Sequence, residues 1–110
     1  MKPVIALSTI DSQEGAASLA TGIVTAGLAA CVNIVPGLTS VYQWQGKIEQ
    51  ASEYLLVIKT TSDRFEQLKA WLSNHHPYDC PELVAMEITD GLPGYLEWLA
   101  NPSRSIINRV

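Results

Sequence analysis

The sequence predicts an α+β fold, in which a four-stranded antiparallel sheet carries two helices on one face and a short third helix lies near the C-terminus. Three observations predict it. Short apolar runs rich in β-branched residues alternate with two stretches whose apolar residues recur every three to four positions. The two central runs are long and are separated by one tight loop that contains glycine, which is typical of a hairpin. The chain has 110 residues, the size of one domain, so residues 1–110 are expected to form a single domain.

The first strand and the first helix occupy the N-terminal part of the chain. Residues 4–10 are apolar and rich in β-branched side chains, which is typical of a mostly buried strand. Asp11 and Glu14 have the three-residue spacing of a capping box, with aspartate in place of serine or threonine, so a helix is expected to begin at Asp11. An apolar stripe follows at helical spacing, and Gly27 supplies the left-handed residue that closes the helix.

The next segment is a long hairpin. Residues 31–44 are strand-like, and Pro36 with Gly37 predicts a bend or bulge within them. Gly46 lies at the centre of the predicted hairpin turn. Residues 48–59 then form the returning strand, so the two strands are expected to pair in antiparallel fashion.

The second half of the chain predicts a helix, a strand and a further helix. Ser62 is a candidate N-cap, and the apolar residues after it recur at helical spacing until Pro77 ends the pattern. Residues 82–88 are strand-like. Pro93 can begin a short helix, which Asn101 and the proline after it terminate.

The order of these elements is β-α-β-β-α-β with one added helix. This is the ferredoxin-like plan, in which both crossover helices lie on one face of an antiparallel sheet. The last residues, 103–110, are only weakly specified by their pattern. Because this plan carries many unrelated activities, it does not indicate a function by itself.

The composition indicates an oligomer. Charged residues make up 16% of the chain, against about 25% in an average soluble domain, and hydrophobic residues make up 47%. A domain of this length leaves apolar surface outside its core, so we expect other subunits to cover part of it. The formal charge is −4 and the sequence has no Lys/Arg cluster, which argues against nucleic acid as a partner.

The sequence does not predict export or membrane insertion. The apolar run of residues 4–7 is too short for a signal sequence or a membrane span, so a cytoplasmic location without a membrane partner is expected. Cys31 and Cys80 form no C-x-x-C motif, and both are expected to be thiols. On its apolar strand, Cys31 is interpreted as a small buried hydrophobic residue. Cys80, in a loop beside Asp79, is the better candidate for an accessible thiol.

The common catalytic motifs are absent from the sequence. It contains no Walker-type phosphate loop, no dinucleotide-binding glycine motif, no G-x-S-x-G and no H-E-x-x-H. We therefore expect neither an enzyme nor an organic cofactor.

Residues 75–82 form the segment richest in chemically reactive side chains. Its imidazole, thiol and carboxylate groups suit copper or zinc better than magnesium or calcium, and the candidate metal ligands are His75, His76, Cys80 and Glu82. A structural interpretation stands beside this hypothesis. The side chains of adjacent histidines diverge by about 100° on a helix, so the two are unlikely to bind one ion within a single chain. A histidine at a helix C-terminus can also serve to cap free carbonyl groups. A metal site between subunits is a third alternative.

Aromatic and charged side chains on the hairpin are further candidates. Tyr42 and Trp44 lie two residues apart and so share one face of their strand, where packing in a core or an interface is the common role of such residues. Glu53 and Lys59 flank an otherwise apolar strand. They form either a structural pair or polar anchors of a cleft.

Two motifs connect the sequence with a known family. The first, at residues 30–47, is A-C-V-N-x-x-P-G-x-T-S-x-Y-x-W-x-G-K, and the second, at residues 76–78, is H-P-Y. With these motifs the sequence strongly resembles the CutA family of divalent-cation tolerance proteins over residues 3–100. The resemblance implies a ferredoxin-like protomer in a homotrimer similar in plan to the PII signalling proteins, with the long hairpin strands pairing with neighbouring subunits.

The resemblance also implies a role without an established reaction, namely tolerance of divalent metals such as copper. By position, the copper ligands that it implies fall on Ser8, His75 and Glu82. A hydroxyl group is a poor ligand for a soft metal, and Cys80 either compensates for it or is incidental. The leading hypothesis is a non-enzymatic homotrimer that binds copper or another divalent metal weakly through the four candidate ligands.

The cleft between subunits that the resemblance implies is the second candidate site. The residues matching its lining are Tyr42, Trp44, Lys59, His76 and Tyr78. This lining makes a small anionic metabolite, bound by a PII-like sensor that signals to a partner protein, an alternative to a metal. A purely structural scaffold is a third hypothesis.

Overall fold

The structure, a computed structural model, describes residues 1–104 and 108–110. Its strands form one antiparallel sheet in the order β2-β3-β1-β4, which confirms the predicted α+β fold. The prediction for residues 103–110 lies partly outside the described residues. No helix in the described part of the chain is long and apolar enough to cross a membrane. The elements in chain order are β1 (Pro3–Ile10), α1 (Gln13–Thr25), β2 (Cys31–Trp44), β3 (Lys47–Thr61), α2 (Phe65–His75), β4 (Val84–Glu87) and α3 (Pro93–Ala100).

Helix α1 has a different N-cap from the predicted one. The Oγ of Ser12 accepts a hydrogen bond from the Gly15 N–H at 3.0 Å, so the predicted cap at Asp11 is wrong. Gly15 passes so close to β1 that an added Cβ would lie 2.7 Å from the Cδ1 of Ile10. The end of the helix follows the prediction, because Gly27 has a φ of 72°, in the left-handed region.

The hairpin of β2 and β3 contains the two longest strands of the sheet. Its register shifts between Val35 and Leu38, which confirms the predicted bulge, and Gly37 at that point has a φ of 78°. At the tip, Gln45 and Gly46 both have a positive φ, the pattern of a type I′ turn. The returning strand starts earlier and ends later than predicted, so the hairpin is longer than expected.

The start of α2 also differs from the prediction. Ser62, the expected N-cap, begins the 3₁₀ turn Ser62–Arg64, and its Oγ accepts a hydrogen bond from the Lys2 N–H at 3.1 Å. Strand β4 is shorter than the predicted residues 82–88. Helix α3 begins at Pro93 as predicted.

Helices α1 and α2 cover one face of the sheet and enclose the core. Buried and half-buried residues alternate along β1, so every second side chain faces the helices. The Trp71 ring of α2 packs on the backbone of α1 at Gly22, where an added Cβ would lie 2.6 Å from the ring. The buried core side chains are Ala6, Ile10, Ala16, Leu19, Ile23, Leu28, Ala29, Leu56, Ile58, Leu68 and Leu72.

Helix α3 lies on the other face of the sheet. Ile58 of β3 belongs to the core, so the next side chain, Lys59, points to the opposite face. There the Nζ of Lys59 lies 6.0 Å from the centre of the Tyr95 ring on α3. The guanidinium of Arg64 donates hydrogen bonds to the last two carbonyl oxygens of α3, which fixes the end of this helix.

The hairpin and both edge strands leave large apolar side chains exposed. Strands β2 and β4 each pair on one side only in the described chain. The exposed apolar and aromatic side chains on strands are Ile34, Val35, Val41, Tyr42, Trp44, Ile48, Val84 and Met86. Exposed apolar patches and unpaired edges are typical of surfaces that other chains cover. The homotrimer remains a prediction.

Candidate functional site

A groove lies where the hairpin meets the segment that follows α2. Its volume is about 740 Å³, within the range of about 300–1,000 Å³ that small-molecule sites occupy. We call it the hairpin groove. The residues that line it are Thr9, Ser40, Val41, Tyr42, Trp44, Glu53, Pro77, Tyr78, Asp79, Cys80 and Glu82.

Pro77 directs the segment after α2 into this position. The ring of a proline disfavours helical angles at the residue before it, and His76 accordingly has extended angles, with φ −79° and ψ 136°. Helix α2 therefore ends at His75, as predicted. The side chain of His76 turns away from the helix axis toward β1.

His76 anchors the segment to the sheet. Its Nε2 lies 2.8 Å from the carbonyl oxygen of Thr9, and its Nδ1 accepts a hydrogen bond from the Tyr78 N–H at 3.1 Å. Because Nδ1 accepts, we assign the ring proton to Nε2, which donates to Thr9. The ring is buried and meets the Tyr78 ring edge-on, with centroids 4.6 Å apart. Both nitrogen atoms of His76 are thus used within the chain.

Tyr78 and Glu53 form the polar floor of the groove. The Tyr78 hydroxyl donates to Oε2 of Glu53 at 2.7 Å, and Glu53 is only 8% exposed. Burial, followed by the hydrogen bond and the charge of Glu53, raises the pKa of Tyr78 far above its ordinary value. The Tyr78 hydroxyl therefore stays protonated and donates to the Glu53 carboxylate. The alternative that Glu53 pairs with Lys59 is wrong, because a strand segment of this length spans about 20 Å and Lys59 contacts Tyr95.

Tyr42 and Trp44 lie on one face of β2, as predicted, and both line the groove. They are 45% and 53% exposed, so their rings are open to a ligand or to another chain. Their cross-strand partners near the hairpin tip are Glu49 and Lys47. Of the cleft residues that the family resemblance implies, the groove contains Tyr42, Trp44 and Tyr78.

The predicted metal ligands are divided between two places in one chain. Cys80 and Glu82 are exposed and line the hairpin groove. His75 does not line it: its ring stacks on Trp71 with centroids 3.9 Å apart, and its Nδ1 lies 2.7 Å from the carbonyl oxygen of Trp71. The described residues contain no group of three or more His, Cys, Asp or Glu placed to hold a metal ion. Within a single chain, His75 and His76 therefore make their contacts apart from the groove residues Cys80 and Glu82.

Ser8 lies on the opposite side of β1 from the groove. It is fully buried among the side chains that face the helices, and its Oγ has no hydrogen-bond partner among the described residues. Its neighbour Thr9 is the residue of β1 that lines the groove. The side chain of Ser8, the position implied as a copper ligand, therefore points to the opposite side of β1 from Cys80 and Glu82. It is also a hydroxyl, which is a poor ligand for copper.

The groove is acidic, which sequence reasoning did not anticipate. Glu53, Asp79 and Glu82 line it, and none of its lining residues is basic. Lys59 and His76, the basic members of the implied cleft, are engaged elsewhere, so an anionic ligand is not favoured here. Asp79 was not predicted as a site residue, although its position beside Cys80 in residues 75–82 could have indicated one.

Comparison with known proteins identifies the family. The model of the family described as CutA1 divalent ion tolerance protein matches residues 4–102. The chain is 46% identical over 102 residues to the chloroplastic protein CutA of Arabidopsis thaliana, and the matched segment is 93% of this chain and 56% of that protein. It is 48% identical over 95 residues to the divalent-cation tolerance protein CutA of Thermus thermophilus, covering 86% of this chain and 92% of the relative. The chain thus spans little more than half of the plant relative and most of the bacterial one.

Solved structures agree with this assignment. The divalent cation tolerance protein Cut A1 from Thermus thermophilus superposes with a TM-score of 0.87 at 47% identity, covering 89% of this chain and 95% of that one. CutA1 from Oryza sativa superposes with a TM-score of 0.88 at 41% identity, covering 90% and 91%. Both the sequence motifs and the fold are therefore shared along most of the chain, and the chain belongs to the CutA1 family of divalent ion tolerance proteins.

Proposed function

We propose that this chain acts in divalent-cation tolerance as a non-enzymatic homotrimer that binds a divalent cation weakly. The observation that carries the proposal is the hairpin groove, in which a thiol and carboxylates lie together without a basic side chain. An acidic concave surface raises the local concentration of cations. The family name supports the same role.

The trimer is supported by the unpaired surfaces of the fold. The apolar and aromatic side chains along β2, β3 and β4 are exposed in the single chain, and long exposed edges are an aggregation hazard unless another chain pairs with them. Light scattering coupled to size-exclusion chromatography is expected to give the mass of three chains. A mass of one chain at micromolar concentration would contradict the trimer.

Cys80 and Glu82 are the metal ligands that we propose from one chain, because they share the groove. Thiolate and carboxylate ligands together suit Cu²⁺ or Zn²⁺. The Nδ1 of His75 is hydrogen-bonded, which leaves Nε2 as the nitrogen available to a metal. Since His75 does not line the groove of its own chain, its participation requires a site completed between subunits. We assign His76 an anchoring role instead.

Calorimetric titration of Cu²⁺ and Zn²⁺ tests the ligand set. The variant Cys80→Ser/Glu82→Gln is expected to lose about tenfold or more in affinity, since each good metal ligand contributes strongly to binding. Cys31→Ser is the matched control, because Cys31 lies on β2 outside the groove. Equal affinities in wild type and in the double variant would remove Cys80 and Glu82 from the ligand set. A cytoplasmic location, and the lack of nucleic-acid and membrane partners, remain predictions.

A further inference from the structure

The connection between β4 and α3 contains the one Asp-Gly pair of the sequence, Asp90 and Gly91. Strand β4 ends at Glu87 and α3 begins at Pro93, so the pair lies in irregular chain between two regular elements. Both residues are exposed. Neither residue is part of the metal site proposed above.

The pair lies at the end of the sheet opposite the hairpin tip. The Ile88 N–H donates to the carbonyl oxygen of Pro3 at 2.9 Å, which places the chain after β4 beside the first residue of β1. The other end of β1, at Ile10, is the one that pairs closest to the hairpin tip. Residues 88–92 are therefore separate from the hairpin surface.

The carboxylate of Asp90 lies against the backbone nitrogen of Gly91. The Gly91 N–H donates to Oδ1 of Asp90 at 2.9 Å, and among the described residues it has no other hydrogen-bond partner. Because this oxygen is bonded to Cγ, the nitrogen lies beside the carbon with which it can close a five-membered ring. Groups held next to each other in this way react as if at a high local concentration.

Glycine leaves that nitrogen open to reaction. Gly91 has no Cβ, so no side chain shields its backbone N–H. A Cβ at this position would lie 3.3 Å from Cδ2 of Leu96 on α3, which is a crowded contact. The other aspartates of the chain, Asp11, Asp63 and Asp79, all precede residues that carry a side chain.

We propose that Asp90 and Gly91 form a site of spontaneous covalent modification, in which Asp90 converts to isoaspartate through a cyclic succinimide. The Gly91 nitrogen loses its proton and bonds to Cγ of the protonated Asp90 carboxyl group, whose hydroxyl leaves as water. A second water molecule then opens the ring, giving its hydroxyl to one carbonyl carbon and its proton to the nitrogen. Opening at the main-chain carbonyl lengthens the link between β4 and α3 by one methylene group. The reaction needs no metal ion, cofactor or second protein.

Incubation of the full chain in its native assembly, in water enriched in oxygen-18, at neutral pH and physiological temperature, tests the proposal. Each cycle of ring closure and opening incorporates one labelled oxygen atom. Trypsin releases residues 70–104 as one peptide, and electron-transfer fragmentation locates the label and the isoaspartate within it. Both are expected to accumulate at position 90. Asp79, in the same peptide, is the internal control and is expected to stay unlabelled.

Two variants separate the ring closure from the presence of a carboxylate. Gly91→Ala keeps Asp90 but shields the nitrogen, and it is expected to slow the labelling about tenfold or more. Asp90→Glu keeps the charge but requires a six-membered ring, and it is expected to show no isomerised product. Because the second variant adds nothing at the crowded contact with Leu96, it serves even where Gly91→Ala does not fold.

A synthetic peptide of residues 88–94 measures the reaction without the fold. The rate in the native assembly is expected to lie within about tenfold of the peptide rate, because the fold keeps the carboxyl group beside the nitrogen. A slower rate in the assembly would overturn the proposal, since the folded chain would then hold the two groups apart. Equal labelling at Asp79 and Asp90, or an unchanged rate in folded Gly91→Ala, would overturn it as well.

Discussion

His76 is the residue whose replacement tests the architecture of the site most directly. Its imidazole is 7% exposed and joins the Thr9 carbonyl to the Tyr78 N–H. Strand β4 pairs only with residues 4–7 of β1, so the Thr9 carbonyl lies beyond the end of that strand. The imidazole supplies the hydrogen bond that a longer β4 would otherwise provide. Its removal leaves both backbone groups without their partners.

His76→Ala is expected to lower the free energy of unfolding by about 2–4 kcal/mol. The substitution leaves two backbone groups without a partner, and each such group costs about 1–3 kcal/mol when it stays buried. Loss of the edge-on contact with the Tyr78 ring adds about 0.5–1.5 kcal/mol. Water that enters the vacated space restores part of the hydrogen bonding, so the total stays below the sum of these costs.

Urea unfolding followed by circular dichroism measures this change. All variants are compared at one protein concentration, because the proposed trimer would make the apparent stability depend on concentration. His75→Ala is the matched control: the same substitution one residue away, on an exposed side chain. It is expected to cost about 1 kcal/mol or less. Equal losses in the two variants would refute the reasoning, because they would show that the bonds of His76 do not hold the segment.

Three further substitutions test separate features. The raised pKa of Tyr78 means that the folded chain keeps a proton that unfolded tyrosine loses above about pH 10, so this stabilisation is present below that pH and is lost as the pH rises past it. In Tyr78→Phe, the free energy of unfolding measured in urea is expected to fall less steeply as the pH rises past about 10 than it does in wild type. The same pH dependence in both proteins would contradict a raised pKa of Tyr78. Gly22→Ala places a Cβ 2.6 Å from the Trp71 ring, so a destabilisation of about 1–3 kcal/mol is expected, and an unchanged melting temperature would show that the ring moves freely. Thr60→Val keeps the shape of the side chain but removes the buried hydroxyl that donates to the Leu28 carbonyl at 2.6 Å. Urea unfolding is expected to show a loss of about 1–3 kcal/mol in the free energy of unfolding. A variant as stable as wild type would contradict a stabilising role for that bond.

The strands and the hairpin could be predicted because they depend on local signals. Gly37 and Gly46 supply positive φ at the bulge and at the turn, and both positions were marked in the sequence as breaks in a strand pattern. The N-caps of α1 and α2 could not be predicted to the residue. Asp11 and Ser12 are adjacent and both are good caps, so residue type alone does not choose between them; in the structure Ser12 makes the bond to the Gly15 N–H.

The groove could be predicted only in part. The two-residue period of a strand places Tyr42 and Trp44 on one face, and the structure agrees. The same period puts Glu53 and Lys59 on one face, but the distance along the strand separates them, and α3 covers the lysine. No local pattern indicates that the partner of Glu53 is Tyr78, because the two residues meet only when the segment after α2 folds back on the hairpin.

The two adjacent histidines show how the backbone gives identical side chains different roles. His75 is the last residue of α2 and faces the preceding turn, where it stacks on Trp71 and remains exposed. His76 precedes Pro77, whose ring forces it out of the helical region, so its side chain turns toward β1 and is buried. A metal hypothesis based on residue types treats the pair as equivalent, yet only His75 keeps a nitrogen without a described partner. Pro77→Ala would remove the constraint that distinguishes the two histidines. The free energy of unfolding of this variant, measured in urea, is therefore expected to fall by an amount closer to that of His76→Ala than to that of His75→Ala.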